Sequence, residues 1–165
     1  MAGESAVLAS AAVDRVVRAL RAAGVAAEIV ELPGAATTAK AAADFLGCEV
    51  AQIANSLIFR GGESGAPILV MSSGAKRVDT GKLARVAGEP IAKADAEFVR
   101  AATGFAIGGV APVGHIGAPR TFVERSLAAW PTIWAAAGHP NTVFRLTYAE
   151  LVRITGGTEV DACAI

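Results

Sequence analysis

The apolar positions along the chain recur with the spacing of surface helices. Val13, Val16, Val17 and Leu20 stand three or four residues apart with arginines between them, which predicts an amphipathic helix ending at Gly24. Similar stretches, each bounded by a capping residue, predict four more helices. These run from Thr37 or Thr38 through Leu46 to Gly47, from Asp79 or Thr80 to about Ala87, from Asp95 through Ala102 to Gly104, and from the Thr147–Glu150 capping box to Gly156.

Short apolar runs between these helices predict strands. We place them at residues 27–32, 56–60, 67–72, 89–92, 121–124, 133–136 and 142–146, with a helical turn at 50–54. The glycine-rich turn at 61–65 joins two of these strands into a hairpin. Because helices and strands alternate without a regular βαβ repeat, we expect a single α/β (mixed α+β) domain over residues 1–165. Its sheet should be mixed rather than doubly wound.

Composition and charge bound the class of protein. The chain has 165 residues, 53% of them hydrophobic, and its 15 basic side chains balance 15 acidic ones. A net charge of zero excludes histone-like binding driven by bulk charge, and we expect no DNA partner. The N-terminus lacks the layout of a signal peptide, and no uncharged apolar run reaches the roughly eighteen residues of a membrane helix. We therefore expect a cytoplasmic protein without a membrane partner.

The common catalytic and cofactor motifs do not occur in this sequence. Two cysteines and two histidines show no CxxC or HxxxH spacing, so we expect no metal site. Thr80, Gly81 and Lys82 resemble the end of a phosphate loop, but Leu83 stands where Ser or Thr would hold magnesium. Because GxSxG and GxGxxG are also absent, the sequence predicts no cofactor.

Two segments that contain glycine are more informative. Residues 72–79 follow an apolar strand and contain Lys76 and Arg77, which could meet a phosphate or a carboxylate, or could lie in a plain strand-to-helix connection. Residues 103–115 contain four glycines and a proline. Glycine lets a backbone approach a ligand closely, and proline stiffens a loop. The backbone groups of this second segment could therefore bind a substrate or hold a water, although a structural turn is the alternative.

Several motifs occur in an order typical of one family. Residues 108–114 fit a GxxxP loop, and residues 38–47 fit the pattern T-x-x-x-A-A-x-x-L-G. Residues 52–59 are similar to I-x-K-[ST]-L-x-F, and an A-G turn lies at 137–140. Together with residues 73–82, these motifs resemble the YbaK/prolyl-tRNA-synthetase-associated domain family of aminoacyl-tRNA deacylases. The resemblance covers about residues 25–158, and the order and spacing of its parts make it specific.

This resemblance implies a fold and a reaction. The fold would be a mixed, barrel-like sheet with helices packed outside it. The reaction would be hydrolysis of the ester that joins a small mischarged amino acid to tRNA, so that the implied partners are that tRNA and an aminoacyl-tRNA synthetase. An aminoacyl ester is already activated, and a water positioned by backbone groups can suffice without a serine, a metal or a strong base.

The resemblance also suggests site residues. Those expected at the reacting ester are Gly108, Gly109, Pro112, His139 and Asn55. Those expected to bind substrate are Ser56, Lys76, Arg77, Val110, Ala111 and Gly138. A local basic patch of Arg60, Lys76, Arg77, Lys82 and Arg85 is expected to bind tRNA. His115 is expected to be an exposed loop residue.

One position departs from the family pattern. Many relatives have a substrate-contacting lysine where this chain has Asn55, which can form hydrogen bonds but offers no charge. We favour a different amino-acid preference together with compensation by Lys76 or Arg77, and a weakened enzyme is the third possibility. A binding module of the same fold without turnover is therefore the alternative function. A hydrolase of a different small ester is a third hypothesis.

Overall fold

The longest strands of the fold form the predicted hairpin. In the computed structural model, which describes residues 8, 10–34, 36 and 38–164, β2 (Ile53–Gly61) pairs antiparallel with β3 (Pro67–Ser73). The other described strands are β1 (Ile29–Glu31), β4 (Ile91–Lys93), β5 (Arg120–Glu124), β6 (Ile133–Ala136), β7 (Thr142–Leu146) and β8 (Thr158–Val160). The sheet has the order β1-β7-β6-β2-β3-β5-β8, and β4 pairs with the far end of β2.

Both kinds of strand pairing occur in this sheet. β2 is parallel to β6, β3 to β5 and β5 to β8, while the remaining pairs are antiparallel. This confirms the predicted α/β class with a mixed sheet. Strand β8 and a 3-10 turn at Arg125–Ala129 were not predicted. Three residues with Glu159 at their centre show no apolar alternation, and β8 exists because it pairs with β5.

Five helices occur in the described part of the chain, close to the predicted bounds. They are α1 (Ala11–Ala22), α2 (Ala39–Leu46), α3 (Thr80–Ala87), α4 (Ala96–Thr103) and α5 (Tyr148–Thr155). Of the alternative caps, Thr38 and Asp79 accept hydrogen bonds from the first turns of α2 and α3, whereas Thr37 lies outside the described residues. None of the described helices is long and apolar enough to cross a membrane.

The helices divide between the two faces of the sheet. Successive side chains of a strand point to opposite faces, and in β3 Leu69 and Met71 pack in the core that includes α1, α4 and α5. Ile68 and Val70 point to the other face, where α3 covers β3 and β5. Helix α2 covers the same face further along, over β2 and β7. The second face therefore has two covering helices, and the surface of β2 between them forms the floor of a cavity.

Candidate functional site

A cavity of about 290 Å³ opens on the face that α2 covers. Asn55 of β2 and Trp134 of β6 contribute to its floor, and residues of α2 and of the glycine-rich loop (residues 104–114) form walls. Much of the lining consists of small side chains, among them Ala36, Ala39, Ala42 and Ala136. The alanine-rich composition thus has a local consequence, because larger residues at these positions would fill the space.

The glycine-rich loop forms one wall of the cavity through Gly108 and Val110. Gly108 has φ +88°, a conformation that favours glycine. The next residue, Gly109, is buried against the turn after β6, where a Cβ atom would lie 2.8 Å from the carbonyl carbon of His139. The Gly109 N–H donates to Ala106 O at 2.9 Å and is therefore engaged inside the loop. Other residues of this loop that lie at the cavity include Gly108 and Val110.

The turn at residues 138–142 supports that wall. Gly138 has φ +106° and lies against the backbone of α1, where a Cβ atom would be 2.8 Å from Ala12 O. His139 Nδ1 accepts a hydrogen bond from the Asn141 N–H at 3.1 Å, so in the neutral ring the proton is on Nε2. The Thr142 hydroxyl donates to His139 O at 2.9 Å, and Thr142 itself lines the cavity. His139 therefore stands behind the cavity wall with a fixed tautomer.

Arg15 of α1 holds both ends of the glycine-rich loop, a role that the sequence did not reveal. Its guanidinium donates to Gly104 O at 2.8 Å and to Gly114 O at 3.2 Å. The same group lies over the Phe105 ring, with Cζ 5.1 Å from the ring centroid. Phe105 is buried, so this cation–π contact forms at the edge of the core. The glycine-rich loop is thus held by a residue of α1, which lies outside the sequence motif of the loop.

His115 does not have the exposed position that we expected. It is half-buried, and its Nε2 lies 2.7 Å from Ala111 O. Its ring meets the Phe105 ring edge to face, with centroids 5.7 Å apart. Burial lowers the pKa of His115 below its ordinary value, and the nearby Arg15 charge acts in the same direction. The expectation was wrong because the loop folds back over Phe105.

Asn55 and Ser56 both touch the cavity, from neighbouring positions of β2. The Ser56 hydroxyl donates to Met71 Sδ at 3.2 Å, on the core side of the sheet. Asn55 points to the other face. Ile53 and Phe59, which lie two and four residues away on β2 and therefore share that face, pack below α2 and α3. Of these two predicted residues, Asn55 is therefore the one whose side chain points to the cavity face.

Other predicted site residues lie elsewhere. Ala111 and Pro112 are buried, and Pro112 borders a separate cavity together with His115, on the other side of the loop. Lys76 and Arg77 are exposed in the turn after β3 and do not line the cavity. The structure therefore brings together Asn55, Ser56, Gly108 and Val110, with Gly109, Gly138 and His139 behind the wall.

The predicted basic patch divides into two parts. The β2–β3 register places Arg60 at the opposite end of the hairpin from Lys76, roughly 20 Å away at the rise of a strand. Lys76 and Arg77 follow Gly74, where a Cβ atom would lie 2.9 Å from the Cβ of Ala39, a residue of the cavity wall. The basic turn is thus next to the start of α2 and close to the cavity.

The remaining two members of the predicted patch follow in the next helix. Lys82 donates to Cys163 O at 3.0 Å, and Arg85 donates to Gly81 O at 3.3 Å.

The part of the chain that the structure describes contains no group of three or more His, Cys, Asp or Glu side chains placed to hold a metal ion.

Comparisons with known proteins show the family of this chain. The family model for the aminoacyl-tRNA editing domain matches residues 33–154, and the chain therefore belongs to that family. A solved structure described as a candidate trans-editing enzyme for prolyl tRNA synthetase is 43% identical, with a TM-score of 0.89 over 94% of this chain and 99% of its own. The matched range includes Asn55, the glycine-rich loop and the turn at 138–142, whereas Arg15 lies outside it.

Two other known proteins are similar to this chain. The hypothetical protein APE2540 is 27% identical, with a TM-score of 0.84 over 91% of this chain and 99% of its own. The uncharacterized protein YwhH of Bacillus subtilis (strain 168) is 32% identical over 137 residues, which are 82% of this chain and 87% of YwhH.

Proposed function

We propose that this protein hydrolyses the ester between a small mischarged amino acid and tRNA, acting in trans to a synthetase. The observation that carries the proposal is the cavity between Asn55 and Gly108, whose lining includes five alanines. Its volume of about 290 Å³ is at the lower end for small-molecule sites. We propose that the pocket selects its aminoacyl group by size, through the small side chains at its walls. Size exclusion is useful here because apolar contacts discriminate one methylene by only about 1–3 kcal/mol.

The proposed reaction needs one water and a polarised carbonyl. The water oxygen attacks the ester carbonyl carbon, and the bond from that carbon to the ribose oxygen breaks. The ribose oxygen leaves with a proton from the water, which yields the free amino acid and tRNA with a free terminal hydroxyl. Backbone N–H groups of Gly108 and Val110 stabilise the developing negative charge on the carbonyl oxygen, and the Asn55 amide forms a hydrogen bond with the aminoacyl group. Because the ester is already activated, the step requires no metal.

The proposed tRNA contact is the basic turn beside the cavity. Lys76 and Arg77 are exposed next to the start of α2, so a tRNA phosphate can reach them while the aminoacyl group occupies the cavity. Arg60 is excluded from this contact by its distance along the hairpin. Since the net charge of the chain is zero, affinity should be modest and should fall steeply with salt.

The direct test is deacylation at low salt of tRNAs mischarged with alanine, serine, threonine, cysteine or proline. Gly108→Val places a branched side chain at the cavity wall and should abolish hydrolysis. Gly88→Val is a matched control, because Gly88 has φ +79° and open space around it at the end of α3. Both variants suffer the same backbone strain, but only the first alters the cavity.

The outcomes separate the candidate functions. Hydrolysis of one or two small residues that is lost in Gly108→Val and kept in Gly88→Val supports the proposal and identifies the substrate. A folded wild-type chain that hydrolyses none of these tRNAs contradicts it and favours a binding module, for which Asn55 in place of lysine is the specific observation. Equal turnover of a free amino-acid ester and of charged tRNA would favour a hydrolase of a different ester.

A further inference from the structure

Ser72 has a buried hydroxyl without a hydrogen-bond partner. Among the described residues, only Ser72 and Ser126 have buried side-chain oxygens in this condition, and Ser72 is 1% exposed. A buried hydroxyl that makes no hydrogen bond destabilises the folded chain relative to an apolar group of the same shape. Such a group calls for an explanation from its surroundings.

The strand register places Ser72 beside the cavity floor. Ser72 of β3 is the direct partner of Asn55 in β2, and partners in an antiparallel pair point to the same face, with Cβ atoms about 5 Å apart. Val70, two residues earlier on β3, packs on that face below α3. Asn55 lines the cavity and Ser72 does not, so the hydroxyl lies next to Asn55 and away from solvent.

The neighbour of Ser72 on its other side already has a partner. Continuing the parallel β3–β5 register from Met71 and Val123 brings Ser72 next to Glu124. Glu124 is 4% exposed, and its Oε2 accepts a hydrogen bond from the Ala162 N–H at 2.7 Å. The carboxylate is thus held toward the segment after β8, and it forms no hydrogen bond with Ser72 in the structure. Asn55, whose amide has both a donor and an acceptor end, is the neighbour that can turn toward Ser72.

We propose that Ser72 is a positioning residue for Asn55, an inference that rests on the proposed function. When an aminoacyl ester occupies the cavity, the Asn55 side-chain oxygen accepts the Ser72 O–H. This fixes the amide so that its NH₂ group donates to the aminoacyl group. A lysine at position 55 would bring its own charge, whereas a short neutral amide depends on correct orientation. Ser72, on the neighbouring strand, fixes the orientation of the amide.

The test compares the two unpartnered hydroxyls. Ser72→Ala and Ser126→Ala each remove a buried oxygen with little change of shape, and both should keep or raise Tm. Ser126 belongs to the 3-10 turn after β5 and does not line the cavity, so Ser126→Ala should leave deacylation unchanged. Ser72→Ala should lower kcat about tenfold, the factor expected from one hydrogen bond, with little change in KM.

A double-mutant cycle identifies the partner. Asn55→Ala should also lower kcat, and Ser72→Ala should cause no further loss in the Asn55→Ala chain. An unchanged kcat in either single variant, or losses that multiply in the double variant, would overturn the inference. The proposed function would survive that result as long as the wild-type chain deacylates a mischarged tRNA. A wild-type chain inactive on every mischarged tRNA would instead refute the proposed function, and the inference with it.

Discussion

Arg15 should stabilise the protein well beyond an ordinary surface arginine. Arg15→Met keeps most of the apolar stem of the side chain but removes two hydrogen bonds to the carbonyls of Gly104 and Gly114, and the contact with Phe105. Hydrogen bonds from a charged donor contribute about 1.5–3 kcal/mol each when buried, and a cation–π contact about 0.5–2 kcal/mol. Since Arg15 is only half-buried, we expect a loss of about 2–3 kcal/mol in the free energy of unfolding.

The measurement is urea unfolding of Arg15→Met beside Arg18→Met on the same helix. Among the described residues, Arg18 pairs with Asp14, four residues away, and both side chains are largely exposed, so its removal should cost about 0.5 kcal/mol or less. For a chain of this length the Arg15 variant should melt roughly 4–10 °C lower. Because Arg15 holds both ends of the loop that forms the cavity wall, kcat/KM should fall as well. Equal stability of the two variants would refute the reasoning.

Three further predictions concern the same region. Gly109→Ala should destabilise the fold by about 1–3 kcal/mol in thermal melts, because its Cβ would lie 2.8 Å from backbone atoms that cannot yield; a neutral substitution would contradict this packing. Burial lowers the pKa of His115 in the folded chain. As pH falls below 6.5, the unfolded chain therefore binds this proton more readily than the folded chain does, and the free energy of unfolding decreases. His115→Gln should therefore show a smaller drop in urea midpoint from about pH 8 to about pH 5.5 than wild type, and an equal drop would count against this. Replacing Lys76 and Arg77 together by alanine should weaken tRNA binding and reduce its salt slope by about 1–2, whereas Arg60→Ala should leave the slope unchanged.

Features with local causes could be predicted from the sequence. Four helices begin after a capping residue whose side-chain oxygen accepts a hydrogen bond from an N–H only two or three residues away. These caps are Thr38, Asp79, Asp95 and Thr147. The hairpin of β2 and β3 follows from two apolar runs and a glycine-rich turn. The order of the strands and the existence of β8 could not be predicted, because they depend on pairing between distant segments.

The candidate site was only partly predictable for the same reason. The motif predicted that backbone groups around Gly108 and Val110 bind a substrate, and these two residues line the cavity. It gave no sign that Pro112, two residues later, borders a different cavity. Nothing in α1 distinguishes Arg15 from Arg18, since both lie off the apolar stripe. The role of Arg15 depends on contacts that span 89 and 99 residues.

The contacts of α1 also have a consequence for synthesis on the ribosome. This helix is made early, while the segments that Arg15 and Ala12 contact, at Gly104, Gly114 and Gly138, are made much later. Closing loops of about a hundred residues carries an entropic cost that only the final packing offsets. A nascent chain that ends before β7 therefore contains the residues of α1 but has no organised cavity. The ability to edit arises late in translation, after the turn at 138–142 has emerged and can dock on α1.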